Sequence, residues 1–375
     1  MHYVLSEEQE SFKESLRRFL QTRSGEADVR RLIEDDRGYD PDVWSQLATQ
    51  LGLQGLQVPE QYGGAGLGHQ ELAVALEEMG RVLYGGPIFS TVVLAVNTLL
   101  EADDHRACEA YLPAIAAGEC VATVAFTEDD GGWDLDQINL QAVDVGSGDF
   151  RLDGAKSFVL DGHVADLILV LGVAQTGPGL FAVSGRDLDS TSLTRTSLPT
   201  LDLTRRQTRL QFDNVPARQV GIPGQGAAVM RRVLALAAVA LSAEQVGGAQ
   251  KCLDMAVDYA KQRIQFGRPI GSFQAIKHKC AEMSLKLEAA RSASMYASWC
   301  AATRSDDLME EASVAKAYCS ETFIYAAAEN LQIHGGIGFT WEHAAHLYLR
   351  RAKSSELFLG DGRYHRERVI QHLGL

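Results

Sequence analysis

Apolar residues recur every three or four positions at both ends of the chain and every second position in its middle, so the pattern alone divides it into three. In "SEEQESFKESLRRFL", from Ser6, the residues Phe12, Leu16, Phe19 and Leu20 share one helical face, and Ser6 with Gln9 supplies a capping box at its start. Helical spacing returns at Leu72, Leu76 and Met79 and continues to about residue 118, broken at "PEQYGGAGLG" and "YGGP". From there "CVATVAF", "FRLDGAKSFVL", "DLILVLGV", "GLFAVS" and "TRLQFDNV" read as short strands between turn residues. In the last of these, Leu210 and Phe212 should face the core and Arg209 and Gln211 the other side. Beyond "GIPGQG" the helical period resumes for nearly 150 residues, with Ile276, Cys280, Met283 and Leu287 on one stripe, and a four-helix bundle is the economical packing for such lengths. The expected fold is mostly α with a central β domain: an N-terminal helical domain over 1–118, a small β-barrel or sandwich over 119–226 and a C-terminal helical bundle over 227–375.

Composition narrows the function. With 375 residues, 46% hydrophobic and 22% charged, the chain can bury several cores and is not of the disordered class. A formal charge of -14, with no basic block, argues against nucleic-acid binding. The six cysteines lack metal-ligand spacing, which predicts no metal site and six buried thiols in a reducing cytoplasm. The acidic start "MHYVLSEEQESF" is not a secretory signal, and the apolar run "VLALAAVALSA" (233–243) is shorter than a membrane span and reads as a buried helix.

Three stretches carry specific chemistry. "VPEQYGGAGL" (58–67), "YAKQRIQFGRPIGSFQAIKHKCAEM" (259–283) and "QIHGGIGFTWEHAAHLYLRRAK" (332–353) closely resemble, in order, three signatures of the acyl-CoA dehydrogenases. The resemblance implies FAD as cofactor, an acyl-CoA thioester as substrate and α,β-oxidation as the reaction. A glutamate removes the α-proton in such enzymes while hydride leaves the β-carbon for the flavin. It also implies a flavin shared between two chains, with electrons leaving through an electron-transferring flavoprotein.

Residue by residue, the resemblance assigns the neighbour-facing flavin contacts to Arg263, Gln265, Phe266, Gln274, Gln332, Gly335 and Gly336, and the chain's own flavin contacts to Thr127 and Phe158, with Asp361 on the adenine side. Arginine suits a pyrophosphate and glycines allow close backbone approach. The structural alternatives are a bundle ion pair, a core aromatic and a helix-ending turn. His334 reads as a packed histidine, and the Lys and Arg of "LRRAK" (349–353) as a solvated helix face or inter-subunit ion pairs.

The chain departs from the family where catalysis is expected. "TEDDGGWD" (127–134) keeps Thr127, Glu128, Gly132 and Asp134 but puts bulky Trp133 and the charges of Asp129 and Asp130 near the phosphate path. In "KSFVLDG", Leu160 stands where a hydroxyl residue is usual. Leu359 stands at the usual glutamate and Ala237 at the alternative position on an earlier helix, and neither accepts a proton. Losing a positioned base removes about 100-fold to 10,000-fold in rate, or about 3 to 5.5 kcal/mol. The leading expectation is therefore a partner subunit that lends flavin contacts to a homologous catalytic chain. The alternatives are a self-sufficient homo-oligomer with Glu244 as a displaced base, a flavin-dependent oxygenase of the same fold, and a purely structural subunit.

Overall fold

The computed structural model describes residues 5–133, 135, 137–188 and 191–375. Its helices are α1 (Glu7–Arg23), α2 (Glu26–Ile33), α3 (Pro41–Leu51), α4 (His69–Arg81), α5 (Asn97–Glu101), α6 (His105–Ala116), α7 (Gly226–Gln262), α8 (Gln274–Ala302), α9 (Leu308–His334), α10 (Ala345–Leu357) and α11 (Gly362–His372). The strands are β1 (Ala122–Ala125), β2 (Gln141–Gly146), β3 (Asp149–Leu160), β4 (Leu167–Ala174), β5 (Gly177–Ser184), β6 (Leu193–Leu198), β7 (Gln207–Val220) and a short pair, β8 (Ile264–Gln265) and β9 (Arg268–Pro269). They gather into two compact units, one of residues up to Arg31 with His69–Tyr84 and Ala238–Leu375, the other of Leu32–Gly68 with Gly85–Ala237. The units cut across sequence order because α4 packs with α1 and α8.

In the first unit α1 opens on the expected capping box at Ser6 and buries Leu16 and Leu20. Helix α4 crosses α7 at backbone contact: a Cβ on Gly80 would lie 2.0 Å from the Glu244 carbonyl oxygen, and one on Gly247 would lie 1.8 Å from that of Glu77. Any side chain at either glycine would push the two helices apart. Helix α9 lies against α8, α10 and α11. On α8, Met283 and Leu287 are buried, while Ile276 and Cys280 are only half-buried.

The second unit is built on a β sheet in the order β1-β4-β2-β3-β7-β5, and β5 also pairs with β4, so the sheet curls into a small barrel. Its core includes Phe150, Phe181, Leu210 and Phe212, with Phe150 and Phe181 4.8 Å apart. Strand β7 alternates as its sequence requires, with Leu210 and Phe212 in and Arg209 and Gln211 toward the other face. Strands β2 and β6 escape the sequence pattern because their side chains are mostly solvated: only Ala142 of β2 and Leu193 of β6 are buried.

One expectation holds as to burial and another needs correction. The run 233–243 lies inside a 37-residue helix that is by length and composition able to cross a membrane, although 72% of its most apolar window is buried within the protein, as in a core helix. Four of the thiols are buried, but Cys120 and Cys280 are partly exposed, and all six are free.

Candidate functional site

Helix α7 ends in a hairpin, β8 and β9, whose two-residue loop is Phe266-Gly267 with φ of 51° and 77°. A two-residue loop with both φ positive matches the twist of its strands, at a strain cost for any residue but glycine at the first place. Phenylalanine stands there, 91% exposed. Among the described residues its ring contact is edge-on: Phe273 lies 6.1 Å away, under the Arg268 guanidinium. Tyr259, a turn before the hairpin, stacks on His334 at 4.3 Å and so joins this end of α7 to the end of α9. Arg263, Gln265, Phe266, Gln274, Gln332, Gly335 and Gly336 thus come together at one end of the first unit, and apart from half-buried Gly335 all are exposed. Gly335 has φ 65°, and a Cβ on it or on Gly336 would meet nothing of this chain. His334 is a packed histidine: it is buried, bonded through Nδ1 to the Asn330 carbonyl at 2.8 Å, and made less basic by that burial.

The positions where a base was sought lie elsewhere. Leu359 follows α10 and is buried, as is Ala237 on α7 in the second unit. Glu244 is buried too, but its carboxylate accepts from Arg351 Nη1 at 2.7 Å. Arg351 is itself only 3% exposed, which corrects the expectation that 349–353 form a solvated face or reach another chain. Only Lys353, paired with Glu356 at 2.5 Å, and Arg350, whose guanidinium lies over Trp341, keep to the surface. Asp361 caps α11 by accepting from the Tyr364 amide at 2.8 Å. The adjoining Gly360 is bonded to Lys316, 16 residues along α9 from Gln332, or ~24 Å at the helical rise. Asp361 therefore belongs with Leu359 and not with the Arg263 set.

In the second unit the segment 127–133 is tied down by its own acids. Glu128 accepts from Lys156 Nζ at 2.9 Å and from the Asn139 amide at 2.7 Å. Burial would raise this carboxyl, but those donors outweigh it and hold it below its ordinary value. Asp129 accepts both Arg209 Nε (2.8 Å) and Nη2 (2.7 Å), together with the Ser157 hydroxyl, and is likewise held low, chiefly by Arg209. The added acid thus meets an arginine of its own chain. Trp133 packs against Phe126 with ring centroids 5.9 Å apart. A β-bulge between Lys156 and Val159 puts Phe158 at φ 58° and leaves it partly exposed, its ring beside Gly131. Thr127 is buried and Asp134 lies outside the described residues.

A cavity of about 580 Å³ in the first unit is lined by none of these residues; Arg17, Arg81, Arg291, Glu77 and Asp254 line it. Arg81 is paired there with Asp254 and Arg291 with Glu77. Among the described residues no group of three His, Cys, Asp or Glu is placed to hold a metal ion. Sequence reasoning gave no inward pairing to Arg351 or Arg209 and did not single out Lys316 or His365. A lone lysine among small residues in "SVAKAYCS" (313–320) was the available signal for one of them.

The acyl-CoA dehydrogenase N-terminal domain model matches residues 6–119 and its C-terminal domain model matches 224–374. Acyl-CoA dehydrogenase IpdE2 of Mycobacterium tuberculosis is 32% identical, over 95% of this chain and 94% of its own. The chain belongs to the acyl-CoA dehydrogenase family. It is an oxidoreductase relative of FAD-dependent flavoproteins with that family's fold. Among solved structures, this family member is similar to a Tcur3481-Tcur3483 steroid ACAD variant (30% identity, 98% of both chains, TM-score 0.87). It is also similar to the ChsE4-ChsE5 complex of Mycobacterium tuberculosis (25% identity, 100% and 99% of the two chains, TM-score 0.89).

Proposed function

We propose that this chain is the flavin-lending partner in a hetero-oligomeric acyl-CoA dehydrogenase, paired with a homologous chain that carries the base. The observation that carries this reading is the outward set at the end of the first unit: Phe266, strained and 91% exposed, beside exposed Arg263 and Gln332. A strained, displayed aromatic is retained where something outside the chain uses it.

The residues present fit FAD. Arg263 makes no ion pair among the described residues, so its guanidinium is available for a pyrophosphate. The Phe266 ring offers an apolar face to a flat cofactor. Gly335 and Gly336 leave open space above the backbone for close approach by another molecule. FAD, when bound, supplies the acceptor for the β-hydride. This chain's residues orient that cofactor, while proton removal falls to the partner chain. Leu359 and Ala237 have no acceptor, and recruiting Glu244 as a base would disrupt its 2.7 Å pair with the buried Arg351 guanidinium.

The chain's own flavin seat is the other support. Where the family has a small hydroxyl residue, Trp133 lies against Phe126, and the Asp129–Arg209 pair holds the segment. The two similar structures, one described as a steroid ACAD and one as a two-component complex, favour a CoA thioester of a steroid side chain and a hetero-oligomer. An electron-transferring flavoprotein is the expected acceptor and the cytoplasm the expected location.

The test is the visible spectrum and native mass of the chain purified alone and with the homologous chain. Alone it should hold well under one FAD per chain, with no bleaching by acyl-CoAs, and co-expression should bring both the yellow colour and the reaction. One FAD per isolated chain, bleached by an acyl-CoA, would overturn the reading.

A further inference from the structure

Leu359 adopts φ 64° while almost fully buried. Glycine takes that conformation freely and leucine does not. The turn is therefore imposed on residue 359 from outside. Two buried side chains do so. Lys316, on α9, is fully buried and donates from Nζ to the carbonyl oxygens of Glu356 (3.1 Å) and Gly360 (3.0 Å) and to Ser320 Oγ (3.0 Å). His365, on α11, donates from Nε2 to the Leu359 carbonyl at 2.9 Å. Three carbonyls within residues 356–360 are thus held from two sides, and the direction of residue 359 follows from where the bundle fixes them.

We propose that Lys316 and His365 form a positioning pair that sets the left-handed turn at Leu359 and, through it, the placement of Gly360 and Asp361. The pair acts on backbone carbonyls, so it works whatever side chain stands at 359. It is a mount that persists in a chain whose mounted group is a leucine. Lys316 satisfies the need of a buried ammonium with three acceptors, and a lysine is suited to this where a planar guanidinium is not. Ser320 ties the same ammonium to Gln245 of α7, which donates to Ser320 Oγ at 3.0 Å, so the turn is referred to three helices of the bundle. Only the link from Asp361 to a flavin rests on the function proposed above.

Hydrogen-deuterium exchange of the full-length chain, purified alone, tests this. Lys316→Met should speed exchange in the peptide covering 357–361 by about tenfold or more, the loss of a buried hydrogen bond or two, while α8 peptides keep their rates. Should that variant not fold, His365 carries the test. His365→Phe removes the donor and should speed the same peptide, and His365→Gln, whose amide can replace it, should restore the slow rate. A Leu359→Gly background should blunt the effect of His365→Phe, because glycine holds the turn unaided. Unchanged exchange at 357–361 in His365→Phe, or acceleration spread evenly over the chain, would overturn the proposal. Flavin retention by the partnered enzyme reads the second link separately. A loosened turn with flavin content unchanged leaves the pair standing and removes Asp361 from the cofactor contacts.

Discussion

Two left-handed, non-glycine residues of the first unit, Leu359 and Phe266, differ in nearly everything except φ. Leu359 is 4% exposed and its turn is gripped by buried donors; Phe266 is 91% exposed and braced by another ring. The same local strain is offset by the bundle in one case and left standing in the other. In the first the chain organises itself; in the second, on the function proposed above, it presents a group for something else to use. The comparison can be broken from either side.

The largest effect belongs to the inward side. Glu244→Ala removes the carboxylate that accepts from the buried Arg351 guanidinium at 2.7 Å, and breaking such a pair costs about 3 to 5 kcal/mol. Chemical denaturation should read that loss, whereas the folded fraction, once partnered, should turn over at the unaltered rate. A drop of 100-fold or more in turnover per folded molecule would make Glu244 the base after all.

On the outward side the expectation is reversed. Arg263→Ala touches no ion pair among the described residues, so stability should stay within about 0.5 kcal/mol. Flavin binding by the partnered enzyme should weaken by about 10-fold to 100-fold, the worth of a charge-assisted contact. Unchanged flavin affinity would turn the reading toward a structural subunit.

A pH titration sharpens the inward side further. Burial, with help from the Lys316 charge, lowers the His365 imidazole from its ordinary value to about 3. The unfolded chain therefore binds a proton that the folded chain refuses once pH falls below about 6.5. Its share of stability is intact above that value and declines by about 1.4 kcal/mol per pH unit below it, down to about pH 3. His334, His343 and His346 are lowered in the same sense, so the informative quantity is the flatter slope of His365→Gln relative to the parent between pH 6.5 and 5.5.

How legible all this was depended on whether a residue's role lies in its own periodicity. The capping box at Ser6, the alternation of β7 and the stripe ending at Met283 and Leu287 are local, and the sequence carried them. That residue 359 is a leucine, which accepts no proton, was readable as an identity. That Glu244 is neutralised by Arg351, 107 residues away, was not, because nothing in "LRRAK" separates the one inward arginine from its solvated neighbours. Trp133 and Asp129 were readable as bulk and charge, yet only the fold brings Phe126 to the one and Arg209 to the other. The strain at Phe266 was hidden as well, since a phenylalanine before a glycine gives no sign of a two-residue hairpin.

The smallest effect is the most direct on the opening contrast. Phe266→Gly removes left-handed strain worth about 1 to 2 kcal/mol and adds unfolded-state freedom worth about 0.5 to 1 kcal/mol, while almost no burial is lost from a ring so exposed. The net should lie between no change and a gain of about 1.5 kcal/mol, visible as an unchanged or slightly higher unfolding midpoint. The same substitution at Leu359 relieves the same strain but removes a buried side chain, and there the lost packing outweighs the relief and stability falls. Opposite signs at two residues of nearly equal φ would follow from a fold that uses one turn for itself and offers the other. A loss of stability at Phe266 as well would mean that its ring is covered within this chain, and the outward reading of that end of the bundle would go with it.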